Sequence, residues 1–143
     1  MIKMNDKYKI VLNYIKDLSV EIPSPEALIT SRNKIGKYKI KVNISSKPLK
    51  LKMIEVITKL TYSDPTNSKH KAFFEIEYAT VIDILESKLK KSDLEKIILC
   101  DLQVEIYPDL EKKFLTVLRN SGFPSLEFGE KIDFEKLYSE RLN

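Results

Sequence analysis

From Tyr8 to Ile84 the chain alternates polar and apolar residues, and beyond Ile84 the repeat lengthens to a helical one. Strand side chains point alternately to opposite faces, so four strands are predicted, the first over residues 8–22. Within "YIKDLSVEIP" the series Tyr14, Leu18, Val20 and Ile22 is expected on one face, with Ile15, Asp17, Ser19 and Glu21 on the other. "KYKIKVNI" (Lys37–Ile44) alternates lysine with apolar residues, as a half-exposed strand does. "MIEVITKLTY" (Met53–Tyr62) sets Ile54, Val56, Thr58, Leu60 and Tyr62 against Glu55, Ile57, Lys59 and Thr61. "SDPTNSKH" (Ser63–His70) is a turn signal. Ala72–Ile84 is a long fourth strand with Phe74, Ile76 and Tyr78 facing one way and Phe73, Glu75 and Glu77 the other.

After this run, Leu94, Ile97, Ile98 and Leu102 recur at helical spacing, with Ser92 as the expected N-cap and Glu95 at the capping-box position. Pro108 is the expected first residue of a second helix, which carries Phe114, Leu115, Val117 and Leu118 and stops at Asn120–Gly122. A short helix from about Asp133 carries Phe134, Leu137 and Tyr138. Strands first and helices afterwards imply an α+β fold in which helices pack on an antiparallel sheet.

Composition changes this picture little. The 143 residues are enough for one domain with its own core. No apolar run of about 18 residues predicts a membrane span. The N-terminal "MIKMNDKYKI" lacks the apolar core and cleavage site of a secretory signal. The single Cys100 cannot make an internal disulfide, in keeping with a reducing, cytoplasmic setting. The net charge of +4 comes from 25 basic and 21 acidic side chains that are interspersed. A nucleic-acid binder more often shows a one-signed stripe, so none is expected as a partner.

The usual catalytic chemistry is missing. His70 is the only histidine and lies among lysines in a turn, which argues against a histidine-dependent triad. One cysteine and one histidine do not make a structural zinc site, and no glycine-rich phosphate loop exists. Cys100 in "IILCDL" reads as an inert buried residue. No cofactor, metal or enzymatic activity is expected.

The ordered segments resemble the SecB family of protein-export chaperones over about Tyr14 to Tyr138. "YIKDLSVEIP" resembles the family's first strand, "IEVITKLTY" its third and "AFFEIEYATVIDI" its fourth. "YPDLEKKFLTVLRNSGFPSLEF" resembles its aromatic-Pro helix followed by Gly-Phe-Pro, and "IDFEKLY" its closing helix. The resemblance implies an ATP-independent holdase assembled as a homotetramer, a dimer of dimers, with a four-stranded antiparallel sheet per subunit and two main helices on one side. Such a protein binds unfolded preproteins and delivers them to the SecA motor without inserting into the membrane. By matching positions, Asp17, Glu21, Phe73 and Glu75 are implied to dock SecA. Client contact is expected from Ile22, Leu28, Ile29, Ile106, Tyr107, Phe123, Leu126 and Phe128, although the same apolar spacing also suits a core. Phe114, Leu115, Val117 and Leu118 are expected in a subunit contact. The sequence departs from the family pattern in its basic net charge, in Ala79 and Thr80 where a Gly pair is common, in Asp101 where a Pro is usual, and in ending at "YSERLN" without an acidic tail. A SecB-like chaperone dedicated to one client, such as an antitoxin, is the alternative.

Overall fold

The computed structural model of the protein describes residues 7–66, 71–129 and 131–141. His70 and part of the predicted Ser63–His70 turn fall outside the described residues. Four strands form one antiparallel sheet: β1 (Tyr8–Glu21), β2 (Lys39–Pro48), β3 (Met53–Ser63) and β4 (Phe73–Ile84), in the order β1-β4-β3-β2. The meander β2-β3-β4 is extended by β1, which adds to the far side of β4 and leaves β1 and β2 as the two edges.

The alternation in β3 and β4 appears as two faces of opposite character. Val56, Thr58, Leu60 and Tyr62 on β3 and Phe74, Ile76, Tyr78 and Ile82 on β4 are all buried against the helices. The intervening residues face outward. In β1 the alternation breaks, because bulges interrupt the register between Ile10 and Leu12 and between Ile15 and Asp17. A bulge places two residues opposite one and so reverses the facing of everything beyond it. Asp17, Ser19 and Glu21 pair with Glu77, Glu75 and Phe73 on the outward face, where Tyr14 also lies beside Ala79, while Ile15 joins Leu18 and Val20 on the helix side. The expectation that Tyr14 shares a face with Leu18 is therefore corrected: strict alternation has no room for the extra residue.

Helix α1 (Pro25–Asn33) was not legible as a helix beneath its prolines. Its start nevertheless follows helix-entry chemistry. The Ser24 hydroxyl accepts the Ala27 N–H at 3.0 Å, and Pro25 fills the first helical position, where no N–H is needed. Ser31 on α1 is fully buried and accepts the Ala72 N–H at 2.8 Å, which ties the helix to the entrance of β4.

The two helices expected around Pro108 are one continuous run. Helix α2 (Lys91–Lys96) passes through a π-turn (Ile97–Asp101) into α3 (Leu102–Asn120). Lys90, not Ser92, is the N-cap, and the Asp93 carboxylate accepts the Lys90 N–H at 3.4 Å. Pro108 sits inside α3 on its solvent side, where the carbonyl it leaves unpaired can take water, so the helix continues through it. The wide π-turn is closed by a buried side chain: the Gln103 amide donates to the Ile98 carbonyl at 3.0 Å and accepts the Thr58 hydroxyl at 2.9 Å. This bridge joins the helix to the middle of β3.

Helix α3 ends as predicted at Gly122, whose φ of 112° suits glycine. The Phe123 N–H reaches back to the Leu118 carbonyl at 3.2 Å, a Schellman closure. Helix α4 (Phe134–Arg141) begins at Asp133, whose carboxylate accepts the Lys136 N–H at 3.0 Å, and its Phe134 packs edge-on against Tyr107. The helices cover one face of the sheet and leave the other to solvent.

Candidate functional site

Two surfaces on this frame are candidates for function: a groove beside β2 and the uncovered face of the sheet. The groove runs from the turn Ile35–Lys37 past Tyr38 and along Lys39–Val42 of β2, with Leu126–Gly129 and the start of α4 as its opposite wall, and has a volume of about 940 Å³. A second hollow of about 540 Å³, lined by Arg32, Ile35 and residues 123–127, adjoins it through Ile35, Leu126 and Glu127.

An aromatic seam forms the floor. Tyr62 stacks edge-on with Phe128 at 5.2 Å and lies 5.2 Å from Tyr38, and Phe114 backs Phe128 from the core at 6.2 Å. Burial pushes the Tyr62 hydroxyl up to about 12, so the floor stays uncharged at physiological pH. The Leu126–Gly129 wall is held by its backbone. Arg119 Nε donates to the Leu126 carbonyl at 2.9 Å, and Arg32 Nε on α1 donates to the Gly122 carbonyl at 2.7 Å. Phe123 anchors the segment edge-on against Phe74 in the core. With its backbone fixed this way, the segment turns Leu126 and Phe128 toward the groove. The rim mixes both charge signs: Lys39, Lys41, Lys131 and Lys136 with Glu127, Asp133 and Glu140. β2 bonds only to β3, so the groove is bordered by a strand edge whose backbone groups are unpaired within the sheet.

Of the residues expected to contact clients, Phe123, Leu126 and Phe128 line these hollows. Ile29 lies exposed on α1, while Ile22 and Leu28 are half-buried against the core. Ile106 and Tyr107 are buried among the core residues, so they have little surface for a client. Sequence reasoning missed Ile35, Tyr38, Ile40 and Val42; the signal was the Ser24-Pro25 helix start, which brings the chain back to form that wall. Phe114 and Leu118 are fully buried within their own protomer and keep no surface for a neighbouring subunit, which corrects their place in a subunit contact; Leu115 and Val117 stay half-exposed. Cys100 is buried, and burial pushes its thiol pKa up, as an inert thiol requires.

The uncovered sheet face is polarised. Glu21 lies beside Phe73, Ser19 beside Glu75 and Asp17 beside Glu77, so the four residues matched to SecA docking share one face near one end of β1 and β4. Asp17 and Glu21 are exposed and make no ion pair among the described residues. Glu75 accepts the Thr61 hydroxyl at 2.9 Å and lies 3.9 Å from Lys59. Further along, Glu55 accepts from the Tyr14 hydroxyl at 2.7 Å and from Lys16 at 3.1 Å, and these bonds, the tyrosine's first, hold its carboxyl below the usual range. On β2 the same face carries Lys39, Lys41 and Lys47, so Asp17, Glu21, Glu75 and Glu77 gather on β1 and β4 while these three lysines line the opposite edge.

A family model for the preprotein translocase subunit SecB matches residues 3–143. The chain belongs to the SecB family. It is 46% identical over 140 residues to a protein-export protein SecB of Pelagibacter ubique, covering 98% of this chain and 100% of that one. It is 26% identical over 133 residues to the protein-export protein SecB of Methylocella silvestris, covering 93% of this chain and 81% of that one. In fold it is similar to a SecB-like chaperone of Mycobacterium tuberculosis solved with a peptide from an antitoxin. That likeness has a TM-score of 0.65 at 12% identity and covers 87% of this chain and 91% of the other. Membership of the SecB family agrees with the resemblance carried by the strand and helix segments. No described helix is long and apolar enough to cross a membrane, and the described residues contain no cluster of metal-ligating side chains.

Proposed function

We propose that this SecB-family chain is an ATP-independent holdase that keeps secretory precursors unfolded in the cytoplasm and hands them to SecA. The observation that carries this reading is the separation of two unlike surfaces on one rigid sheet. An apolar, aromatic-floored groove bordered by a free strand edge suits extended chain of varied sequence, because backbone pairing and apolar contact both tolerate sequence change. The uncovered face, with Asp17, Glu21, Phe73 and Glu75 together, is the docking surface for the motor. A client in the groove and SecA on the sheet then do not compete for the same residues.

Assembly as a dimer of dimers is part of the same proposal. The edge of β1 supports it: Val11, Leu12, Ile15, Leu18 and Val20 are large apolar residues left exposed on a strand that pairs only with β4 and has a free outer edge. Leu115 and Val117 are the α3 residues available for a further contact.

The test has two arms. The wild type suppresses aggregation of several chemically unfolded, unrelated clients without ATP and at high salt; suppression of none of them counts against the holdase. Suppression of a single client identifies the dedicated chaperone of the alternative reading. Asp17→Lys with Glu21→Lys loses SecA binding and keeps holdase activity; undiminished binding to SecA removes the docking assignment.

A further inference from the structure

The β2–β3 hairpin, at the end of the sheet where β4 exits, is chemically unlike both surfaces described above. Its tip reads "KPLKLK" (Lys47–Lys52): three lysines, two leucines, a proline and no carboxylate. Lys50–Met53 form a two-residue turn closed by the Met53 N–H on the Lys50 carbonyl. Both central residues, Leu51 and Lys52, have positive φ, 62° and 66°. Turns of this hand favour Asn and Gly; a leucine there is strained and pays for that strain with no burial, since Leu51 is 85% exposed. Leu49 and Leu85 are exposed as well. The Ile84 N–H on the Lys52 carbonyl holds the exit of β4, and so Leu85, beside the tip.

We propose that this hairpin tip docks on an anionic lipid bilayer, its leucines entering the headgroup boundary and Lys47, Lys50 and Lys52 pairing with lipid phosphates. Charge complementarity selects the occupant. Exposed leucines ringed by flexible lysines match an apolar interior beneath an anionic layer. A single-stranded nucleic acid would call for aromatic or arginine side chains to stack on bases, which the tip lacks, and a duplex would engage the lysines but give the exposed leucines no apolar partner. The nearby carboxylates leave the tip cationic. Glu55 is engaged by Tyr14 and Lys16, Asp83 lies on the sheet in register with Met53 and Lys9, and Glu86 follows Leu85. The contact lies on the bilayer surface and spans nothing.

The full-length protein is floated with vesicles of phosphatidylcholine alone and of an equimolar phosphatidylcholine–phosphatidylglycerol mixture, at low salt and with about 0.5 M salt, which shortens screening to a few Å. Binding is expected to the anionic vesicles only and to weaken with salt. Leu51→Gly suits the positive φ, so it keeps the fold and relieves the strain, yet it is expected to weaken vesicle binding about tenfold through the lost apolar burial. Lys50→Glu with Lys52→Glu is expected to abolish it. Absent binding to anionic vesicles, equal binding to both vesicle types, or unchanged binding by Leu51→Gly each overturns the proposal. Preference for a duplex oligonucleotide over anionic vesicles overturns it in favour of nucleic acid.

Discussion

Gly122→Ala probes how the end of α3 positions the groove. A methyl group there would meet Leu28 Cδ1 at 3.0 Å and Cδ2 at 3.1 Å, and the residue must also hold φ at 112°. An L-residue in that backbone region costs about 1–3 kcal/mol. Overpacking against a half-buried leucine adds about 1 kcal/mol. The stiffer unfolded chain returns about 0.4–1 kcal/mol. The net loss is about 2 kcal/mol, which for a chain of this size lowers Tm by about 6–7 °C. The loss falls where function is proposed, because the Gly122 carbonyl accepts the Arg32 bond that ties α1 to the groove wall. Calorimetry at one fixed protein concentration measures it, since the Tm of an oligomer varies with concentration. The double variant Leu28→Ala/Gly122→Ala separates the causes: the alanine at 122 costs about 1 kcal/mol less in that background, because only the backbone strain is left. A Tm change below about 2 °C in the single variant, about half a kcal/mol on the same scale, would refute the strain argument. An equal cost in both backgrounds would refute the contact with Leu28.

Two further outcomes follow from the buried polar groups. Thr58→Val strips a partner from buried Gln103 and is expected to cost about 1–3 kcal/mol in urea unfolding, whereas Thr58→Val with Gln103→Leu is expected to cost less than the sum of the two single changes; strictly additive costs would count against the bridge. Asp64 is buried, with Lys71 at 2.6 Å and the Thr66 hydroxyl at 2.7 Å, and these partners, Lys71 first, hold its carboxyl well below the ordinary value of 3.8. A depressed folded-state value adds stability above the unfolded value and loses it as pH falls toward the folded one. The melting gap between wild type and Asp64→Asn is therefore expected to be constant above about pH 5 and to shrink below about pH 4; a gap unchanged on acidification would show that the carboxylate's charge is not what stabilises.

Residues whose signal is local were legible in the sequence. The even-numbered row of β3 and β4, the glycine stop at Gly122 and the Asp133 start of α4 all follow from alternation and capping. The outward placement of Asp17, Glu21, Phe73 and Glu75 followed too, because the alternation is unbroken from Asp17 to Glu21 and the bulge after Ile15 reverses Tyr14 and Ile15 relative to that run. What stayed hidden depends on contacts distant in the chain. A bulge is set by the partner strand, so Tyr14 and Ile15 exchanged faces. Pro108 looks like a helix start until the turns before it are seen to be helical as well. Phe114 and Leu118 carry the same apolar signal whether they face a core or a neighbour, and only the fold distinguishes the two.

The strand order has a consequence for synthesis. β1 is made first, yet its one partner in the sheet is β4, so every rung from Glu21–Phe73 to Tyr8–Ile84 must wait until β2 and β3 have been made. The β2–β3 hairpin closes locally and can form while the rest of the chain is still being translated. During that interval the first strand, rich in Val, Leu and Ile, has no partner strand, and its entry into the sheet closes the longest loops among the strand pairings. Synthesis thus allows the β2–β3 ladder before either ladder of β4, although β1 precedes them all in the chain.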